Sequence, residues 1–168
     1  DMAVLEFGCG TGSNDLAQAP YVHSILATDI SARMLGIARG KAEARRIANV
    51  TFRRTGIDEF EAPPESFDAI LGMSILHLLE DRDAVIAKVY RLLKPGGVFV
   101  SSTACLGDFM KWFRLVVPVG RSLGLLPQVT VFTERDLVAG LTAQGFRIAE
   151  QWRPGRKQAV FIVATKPA

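Results

Sequence analysis

A strand followed at once by three closely spaced glycines is the feature that most constrains how this chain can fold. Residues 3–7 (Ala-Val-Leu-Glu-Phe) predict a buried strand, and Gly8, Gly10 and Gly12 follow it. Glycine allows the left-handed backbone of a sharp turn and lets a ligand lie against bare main chain. A short helix should come next and stop near Pro20, because proline cannot continue a helix. This order is typical of the first unit of an open α/β sheet.

Strands and helices alternate along the rest of the chain. The predicted strands cover residues 23–28, 49–54, 67–71 and 98–102, and the predicted helices cover residues 31–47, 81–93 and 134–144. Lys94-Pro95-Gly96-Gly97 predicts a turn before the fifth strand. The last two predicted strands, 146–152 and 158–165, are joined by five residues and should form an antiparallel hairpin. The sequence therefore predicts an α/β fold with a mixed sheet covered on both faces.

Composition excludes several classes of protein. A chain of 168 residues that is 49% hydrophobic and 22% charged is one domain and is not disordered. Two Cys and two His without ligand spacing predict no metal site. No apolar stretch approaches the ~20 residues that span a bilayer, and no signal peptide opens the sequence, so we expect a cytoplasmic protein without a membrane partner. The net charge of +3 lies in small clusters without stacking aromatics, so no nucleic-acid partner is expected.

Asp29 lies at the end of the second predicted strand, which neighbours the first in a doubly wound sheet. A carboxylate at this place can accept hydrogen bonds from two ribose hydroxyls. It can equally cap the helix that begins near Ser31, and the two roles are compatible. Three spaced glycines alone are a weak signal, but together with Asp29 they predict a nucleoside-containing ligand.

Four segments together resemble the class I S-adenosylmethionine-dependent methyltransferases. They are residues 4–12 (VLEFGCGTG), 28–31 (TDIS), 67–71 (FDAIL) and 92–97 (LLKPGG), and Gly145-Phe146 before the last hairpin also fits. The resemblance covers nearly the whole chain. It implies a Rossmann-like, doubly wound sheet of seven strands in the order 3-2-1-4-5-7-6, with strand 7 antiparallel. It also implies S-adenosylmethionine as the cofactor and S-adenosylhomocysteine as its product.

The resemblance implies that cofactor-binding residues follow each of the first four strands. They would be Glu6, Gly8, Cys9, Gly10, Asp29, Ile30, Met34, Ile57, Asp58, Gly72, Met73 and Ser74. The first four would hold the methionine part, Asp29 the ribose, and Ile30 with Met34 the adenine. The last three would line the methyl-transfer end. The acidic position of the family aligns with Gly56, so either Asp58 or the backbone of Ile57 would meet the adenine amino group.

His77 is the candidate catalytic base. It follows the fourth predicted strand, and its ordinary pKa of about 6.5 suits proton abstraction at neutral pH. The alternative is that it packs against its own loop and hydrogen-bonds the backbone. Displacement from a sulfonium releases a neutral thioether, so catalysis can rest largely on alignment and needs no acid.

Residues 104–132 form a long irregular connection, which predicts a lid or a substrate insertion. Phe109, Trp112 and Phe113 have the spacing of one helix face, so they would either cover an apolar substrate or pack in the core. Residues 72–75 (GMSI) lack the Asn/Asp-Pro-Pro-aromatic segment of amino-methylating enzymes, and a small, partly apolar acceptor is expected. The helices that usually precede the first strand in this family are expected to be absent.

Two other functions remain open from the sequence. A chain without the upstream helices could be a non-catalytic S-adenosylmethionine-binding module. A nicotinamide-dependent oxidoreductase would carry the pattern Gly-x-Gly-x-x-Gly, but Ser13 stands at the third glycine position here. The Lys94–Gly97 turn and the terminal hairpin favour the methyltransferase. The sequence leaves the oligomeric state open.

Overall fold

The computed structural model describes residues 1–108, 130–155 and 158–168. Seven strands form its sheet: β1 (Ala3–Phe7), β2 (Ser24–Asp29), β3 (Val50–Arg54), β4 (Phe67–Met73), β5 (Leu93–Thr103), β6 (Arg147–Trp152) and β7 (Val160–Thr165). The described helices are α1 (Ser13–Gln18), α2 (Ala32–Ala44), α3 (Arg82–Leu92) and α4 (Glu134–Ala143). Short 3-10 helices occupy Ala19–Tyr21, Leu76–Leu78 and Leu106–Asp108.

The sheet has the strand order β3-β2-β1-β4-β5-β7-β6. The first five strands are parallel, and β7 runs antiparallel to both β5 and β6. The predicted order and the direction of the seventh strand are confirmed. Because β1, β2, β3 and β4 are parallel neighbours, the turns that follow them gather at one edge of the sheet.

Helices cover both faces of the sheet. On one face Leu35 of α2 packs with Ile25 of β2. On the other face Ile86 of α3 and Leu141 of α4 pack with Phe99 of β5. These side chains are almost completely buried. The predicted two-faced α/β sheet is therefore confirmed, and it holds the turns after β1 to β4 on a rigid frame.

Helix α2 shows how local sequence sets an element's limits. The hydroxyl of Ser31 accepts a hydrogen bond from the Met34 N–H at 3.3 Å, as expected of an N-cap. The helix ends at Ala44, three residues before the predicted Ile47, because the chain turns at Arg46, whose φ is 55°. Side-chain pattern alone did not reveal this left-handed residue.

The prediction that residues 94–97 form a turn before the fifth strand is wrong, because β5 already begins at Leu93. Leu93 already pairs with Phe67, and the register shifts before Val98 pairs with Ala69. The four intervening residues therefore form an irregularity inside β5, with Gly96 at a φ of 76°. Strand pairing begins early because Leu93 is fully buried in the core.

The aromatic residues proposed as a lid, Phe109, Trp112 and Phe113, lie outside the described residues. The two described ends of that segment meet, because the Gly107 N–H donates to the Phe132 carbonyl at 2.9 Å. Over residues 1–108, 130–155 and 158–168, no helix has both the length and the apolar character needed to cross a membrane.

Candidate functional site

A cavity of about 540 Å³ opens where the turns after β1 to β4 meet. This volume lies within the range of small-molecule binding pockets. Its walls come from four short stretches of chain: Phe7, Gly8, Gly10, Asp29, Ile30, Ser31, Met34, Thr55, Gly56, Ile57, Asp58, Ile75, Leu78, Leu79 and Glu80. Seven of the residues predicted to bind cofactor are on this wall: Gly8, Gly10, Asp29, Ile30, Met34, Ile57 and Asp58.

The glycine turn forms one wall of the cavity. Gly8, Gly10 and Gly12 have φ values of 72°, 55° and 69°, in the left-handed region that favours glycine. A Cβ atom on Gly8 would lie 2.9 Å from the side chain of Ile75, so that position has no room for one. A Cβ atom on Gly10 would meet nothing within 4 Å. The turn thus exposes bare main chain beside open space.

The N–H groups of Gly8, Cys9, Gly10 and Gly12 in this turn are paired within the chain. Those of Gly8 and Cys9 donate to the Thr28 carbonyl at 2.8 and 3.0 Å. That of Gly10 donates to Oδ2 of Asp29 at 2.8 Å. Because these donors are occupied, the turn offers a ligand chiefly the bare Cα atoms of Gly8 and Gly10.

Asp29 stands between two backbone donors at the end of β2. Its Oδ2 accepts from Gly10 and its Oδ1 accepts from the Ser31 N–H, both at 2.8 Å. A carboxylate has about four acceptor positions, so each oxygen keeps one for a further donor. Asp29 thus orders both turns and still faces the cavity with the capacity to accept a pair of hydroxyl groups.

Exposed apolar side chains flank the cavity next to Asp29. Ile30 is 72% exposed, and Met34 and Leu78 are also exposed, although large apolar residues are usually buried. Gly56 keeps the space beside Ile30 open, because a Cβ atom there would come to 3.5 Å from Ile30 Cγ2. These side chains form an apolar slot into which a flat aromatic ring would fit.

The turn after β3 closes the far end of the slot. Ile57 and Phe60 anchor it in the core, and Asp58 between them is exposed. Lys88 of α3 donates to the carbonyl oxygens of Ile57 at 3.1 Å and Asp58 at 2.8 Å. Of the two alternatives from the sequence, the Asp58 side chain is exposed and has no hydrogen-bond partner among the described residues, whereas the Ile57 carbonyl already accepts from Lys88.

Glu6 lies beneath the glycine turn and not on the cavity wall. It is 1% exposed and Asp15 of α1 is 0% exposed. Burial, and then the charge of Asp15, raises the pKa of Glu6 to about 9, and burial also raises the pKa of Asp15. Glu6 Oε2 and both carboxylate oxygens of Asp15 are buried without a hydrogen-bond partner among the described residues, and the raised pKa values indicate that the pair shares a proton.

The other residues predicted to bind cofactor lie off the cavity wall. A Cβ atom on Gly72 would lie 2.7 Å from the ring of Phe7, so this glycine serves close packing. Ser74 turns the chain after β4 with a φ of 57°, and its N–H donates to the Ser102 carbonyl. Met73, the last residue of β4, packs against the core cluster that contains Cys9, and burial raises the pKa of the Cys9 thiol. These positions shape the frame around the cavity.

His77 lies in the 3-10 helix next to the cavity-lining Leu78. Its Nδ1 is buried and has no hydrogen-bond partner among the described residues, and burial lowers the pKa of the imidazole. Its carbonyl accepts from the Thr130 N–H at 2.8 Å, and the Thr130 hydroxyl donates to the Leu79 carbonyl. The returning end of the irregular segment is therefore fastened to the loop that carries His77.

Sequence reasoning missed the apolar wall at residues 75–80. Ile75, Leu78, Leu79 and Glu80 line the cavity, but only His77 was singled out from this stretch. The signal was present, since an apolar stretch directly follows β4 at the edge where the turns gather.

The cavity fits the S-adenosyl group by its own features. Bare glycine backbone, a carboxylate with free acceptor positions and an apolar slot follow one another along the wall. They match, in order, a charged amino-acid end, a ribose and a flat base. Within the part of the chain that the structure describes, no group of three or more His, Cys, Asp or Glu could hold a metal ion.

Comparison with protein families gives a match over more than half of the chain. A family described as "Methyltransferase domain" matches residues 4–97. Malonyl-[acyl-carrier protein] O-methyltransferase of Paenibacillus sp. (strain JDR-2) is 32% identical over 130 residues, 74% of this chain and 47% of that protein. Demethylmenaquinone methyltransferase of Tropheryma whipplei (strain Twist) is 38% identical over 97 residues, 58% of this chain and 39% of that protein. The chain thus spans less than half the length of these relatives.

Solved structures share the whole fold at low sequence identity. An S-adenosylmethionine-dependent methyltransferase from Mesorhizobium loti superposes with a TM-score of 0.78 at 21% identity, over 98% of this chain and 90% of that chain. The [4+2]-cyclase SpnF superposes with a TM-score of 0.81 at 19% identity, over 99% of this chain and 75% of that chain. The fold thus serves more than one reaction, and these likenesses establish the fold alone.

Proposed function

Since this chain belongs to the methyltransferase domain family, whose cofactor is S-adenosylmethionine, we propose that it transfers a methyl group from that cofactor to a small, partly apolar acceptor. The observation that carries the proposal is the cavity, where Asp29 stands between the glycine turn and the apolar slot. The relatives' names support the class of acceptor, because they include a demethylmenaquinone methyltransferase and a ubiquinone biosynthesis O-methyltransferase.

We propose that each wall of the cavity holds one part of the cofactor. The bare backbone at Gly8 and Gly10 would receive the methionine end. The free acceptor positions of Asp29 would take the ribose hydroxyls, and Ile30 with Met34 would cover the adenine. Bound there, S-adenosylmethionine supplies a methyl group on a positively charged sulfur. The chain contributes by aligning the reacting groups, which can lower the activation free energy by about 7–11 kcal/mol.

His77 remains the proposed base for the acceptor. Burial lowers its pKa, so the imidazole is neutral at pH 7 and able to accept a proton. It lies in the same 3-10 helix as Leu78 of the cavity wall. His77→Gln is expected to lower kcat while S-adenosylhomocysteine binding stays unchanged, and an unchanged kcat would remove the base role.

We also propose that residues 104–132 shape the acceptor pocket of a single-domain protein. The support is that the described ends of this segment meet each other and that Thr130 is fastened to the His77 loop. A cytoplasmic location and the absence of nucleic-acid and membrane partners belong to the same proposal. Two buried free cysteines fit a reducing compartment.

Calorimetric titration of the purified chain with S-adenosylhomocysteine tests the cofactor, with NAD as the control ligand. We expect S-adenosylhomocysteine to bind with micromolar or tighter affinity and NAD to give no heat of binding. Binding of NAD but not of S-adenosylhomocysteine would favour the oxidoreductase. Product formation across a panel of small quinols, phenols and carboxylic acids then tests the reaction. Tight cofactor binding with no product from any acceptor would favour the non-catalytic module.

A further inference from the structure

Lys88 of α3 is directed at the turn that follows β3. Its ammonium group donates to the carbonyl oxygens of Ile57 at 3.1 Å and Asp58 at 2.8 Å. It also lies 3.2 Å from Oε1 of Glu61, and its side chain is only 16% exposed. A lysine has three N–H donors, and each of these has an acceptor here. The side chain is therefore fully engaged in holding this turn.

The two carbonyls that Lys88 holds belong to residues of the cavity wall. Ile57 and Asp58 line the cavity, whereas Lys88 does not. No peptide bond in the described chain is cis, and in a trans peptide the N–H points opposite to the carbonyl. The N–H groups of Asp58 and Glu59, which belong to the same two peptide groups, therefore point away from Lys88.

We propose that Lys88 is a positioning residue that sets the base specificity of the cofactor site. By holding two carbonyls, it would fix the peptide group that carries the N–H of the cavity-lining Asp58, so that this N–H can donate to a ring nitrogen of the bound purine. The inference rests on the proposed function. An N–H donor selects a ring nitrogen that accepts a hydrogen bond, as N1 of adenine does. The 1-deaza analogue of adenine has C–H in place of N1 and keeps the amino group that Asp58 would meet, so it offers the same donor no acceptor.

Neighbouring contacts provide a matched control for Lys88. Glu61 also lies 3.6 Å from Nη2 of Arg91, one turn further along α3. Lys88 and Arg91 thus share one carboxylate partner and carry the same charge, and the pKa of Glu61 is lowered first by its hydrogen bond with Lys88. The hydrogen bonds to the Ile57 and Asp58 carbonyls come from Lys88.

The test compares two ligands on three chains. The natural chain, Lys88→Met and Arg91→Met are titrated with S-adenosylhomocysteine and with its 1-deaza analogue, which lacks only the N1 acceptor. We expect the natural chain and Arg91→Met to prefer the adenine ligand by roughly tenfold or more, the size of one lost hydrogen bond to a buried partner. Lys88→Met should bind the adenine ligand about tenfold more weakly and lose most of the preference. Lys88→Arg, which keeps donors for both carbonyls, should restore it.

Several outcomes would overturn the inference. An unchanged preference in Lys88→Met contradicts it, and so does an equal loss of affinity for both ligands, which indicates general loosening. If circular dichroism shows that Lys88→Met is unfolded, Lys88→Gln replaces it with the same expectation. Failure of the natural chain to bind S-adenosylhomocysteine would overturn the proposed function as well, whereas binding with unchanged selectivity overturns this inference alone.

Discussion

Replacing Glu6 with glutamine perturbs the carboxyl pair beneath the glycine turn. Burial and the charge of Asp15 raise the pKa of Glu6 from its ordinary value of 4.5 to about 9. Between these two pH values the folded chain keeps a proton that the unfolded chain has released. The stability contributed by this group is fully present below pH 4.5 and is lost as the pH rises through 9.

The expected magnitude follows from one proton. Each unit of pH within this window lowers the free energy of unfolding by about 1.4 kcal/mol. From pH 6 to pH 8 the natural chain should therefore lose about 3 kcal/mol through Glu6. Glutamine cannot ionise, and its amide NH₂ can donate to Asp15 as the protonated carboxyl does. In Glu6→Gln the free energy of unfolding should therefore not fall with pH through this group. At pH 8 the variant should be more stable than the natural chain.

Urea unfolding at pH 6, 7 and 8 without ligand measures this difference. Groups such as His77 titrate in both chains, so the quantity of interest is the difference between the two slopes. Glu59→Gln, which removes an exposed carboxylate, is the matched control and should retain the natural slope. Equal slopes for the natural chain and Glu6→Gln would refute the idea that a protonated Glu6 sits beneath the turn.

Three further substitutions test the site and the frame. Asp29→Ala should weaken S-adenosylhomocysteine binding by about 1–3 kcal/mol in calorimetry, and unchanged affinity would exclude Asp29 from ribose binding. Gly8→Ala introduces a Cβ atom 2.9 Å from Ile75 at a positive φ, so binding and melting temperature should both fall; a variant that keeps both would contradict the tight fit. Thr133→Ala removes the capping box with Asp136 at the start of α4 and should cost about 1 kcal/mol in urea unfolding. A loss below a few tenths would show that the cap is dispensable.

The order of strands was predictable because each element carries its own local signal. The glycine turn after β1, Asp29 at the end of β2 and the short final hairpin are local patterns, and the family resemblance joined them into one topology. The irregularity in β5 was not predictable in the same way. It depends on Leu93 pairing with Phe67 across the sheet, and proline and glycine in that stretch suggested a simple turn.

In the candidate site, too, the sequence predicted the residues that their own strands position and missed those that packing brings together. Asp29 and the glycines are positioned by their own strands, and sequence reasoning placed them at the cavity. Asp15 was missed because in the sequence it is an ordinary polar residue near a helix start, and only packing of α1 brings it to Glu6. Lys88 was missed because 30 residues separate it from the carbonyl of Asp58.

The described walls of the cavity come from one continuous part of the chain. Each lining residue among those described lies between Phe7 and Glu80, inside the segment 4–97 shared with the family. The strands that complete the sheet come later and contribute no lining residue among those described. Substitutions in β6 and β7 therefore leave every described lining residue unchanged, and they can reach the cavity only through the packing of the sheet.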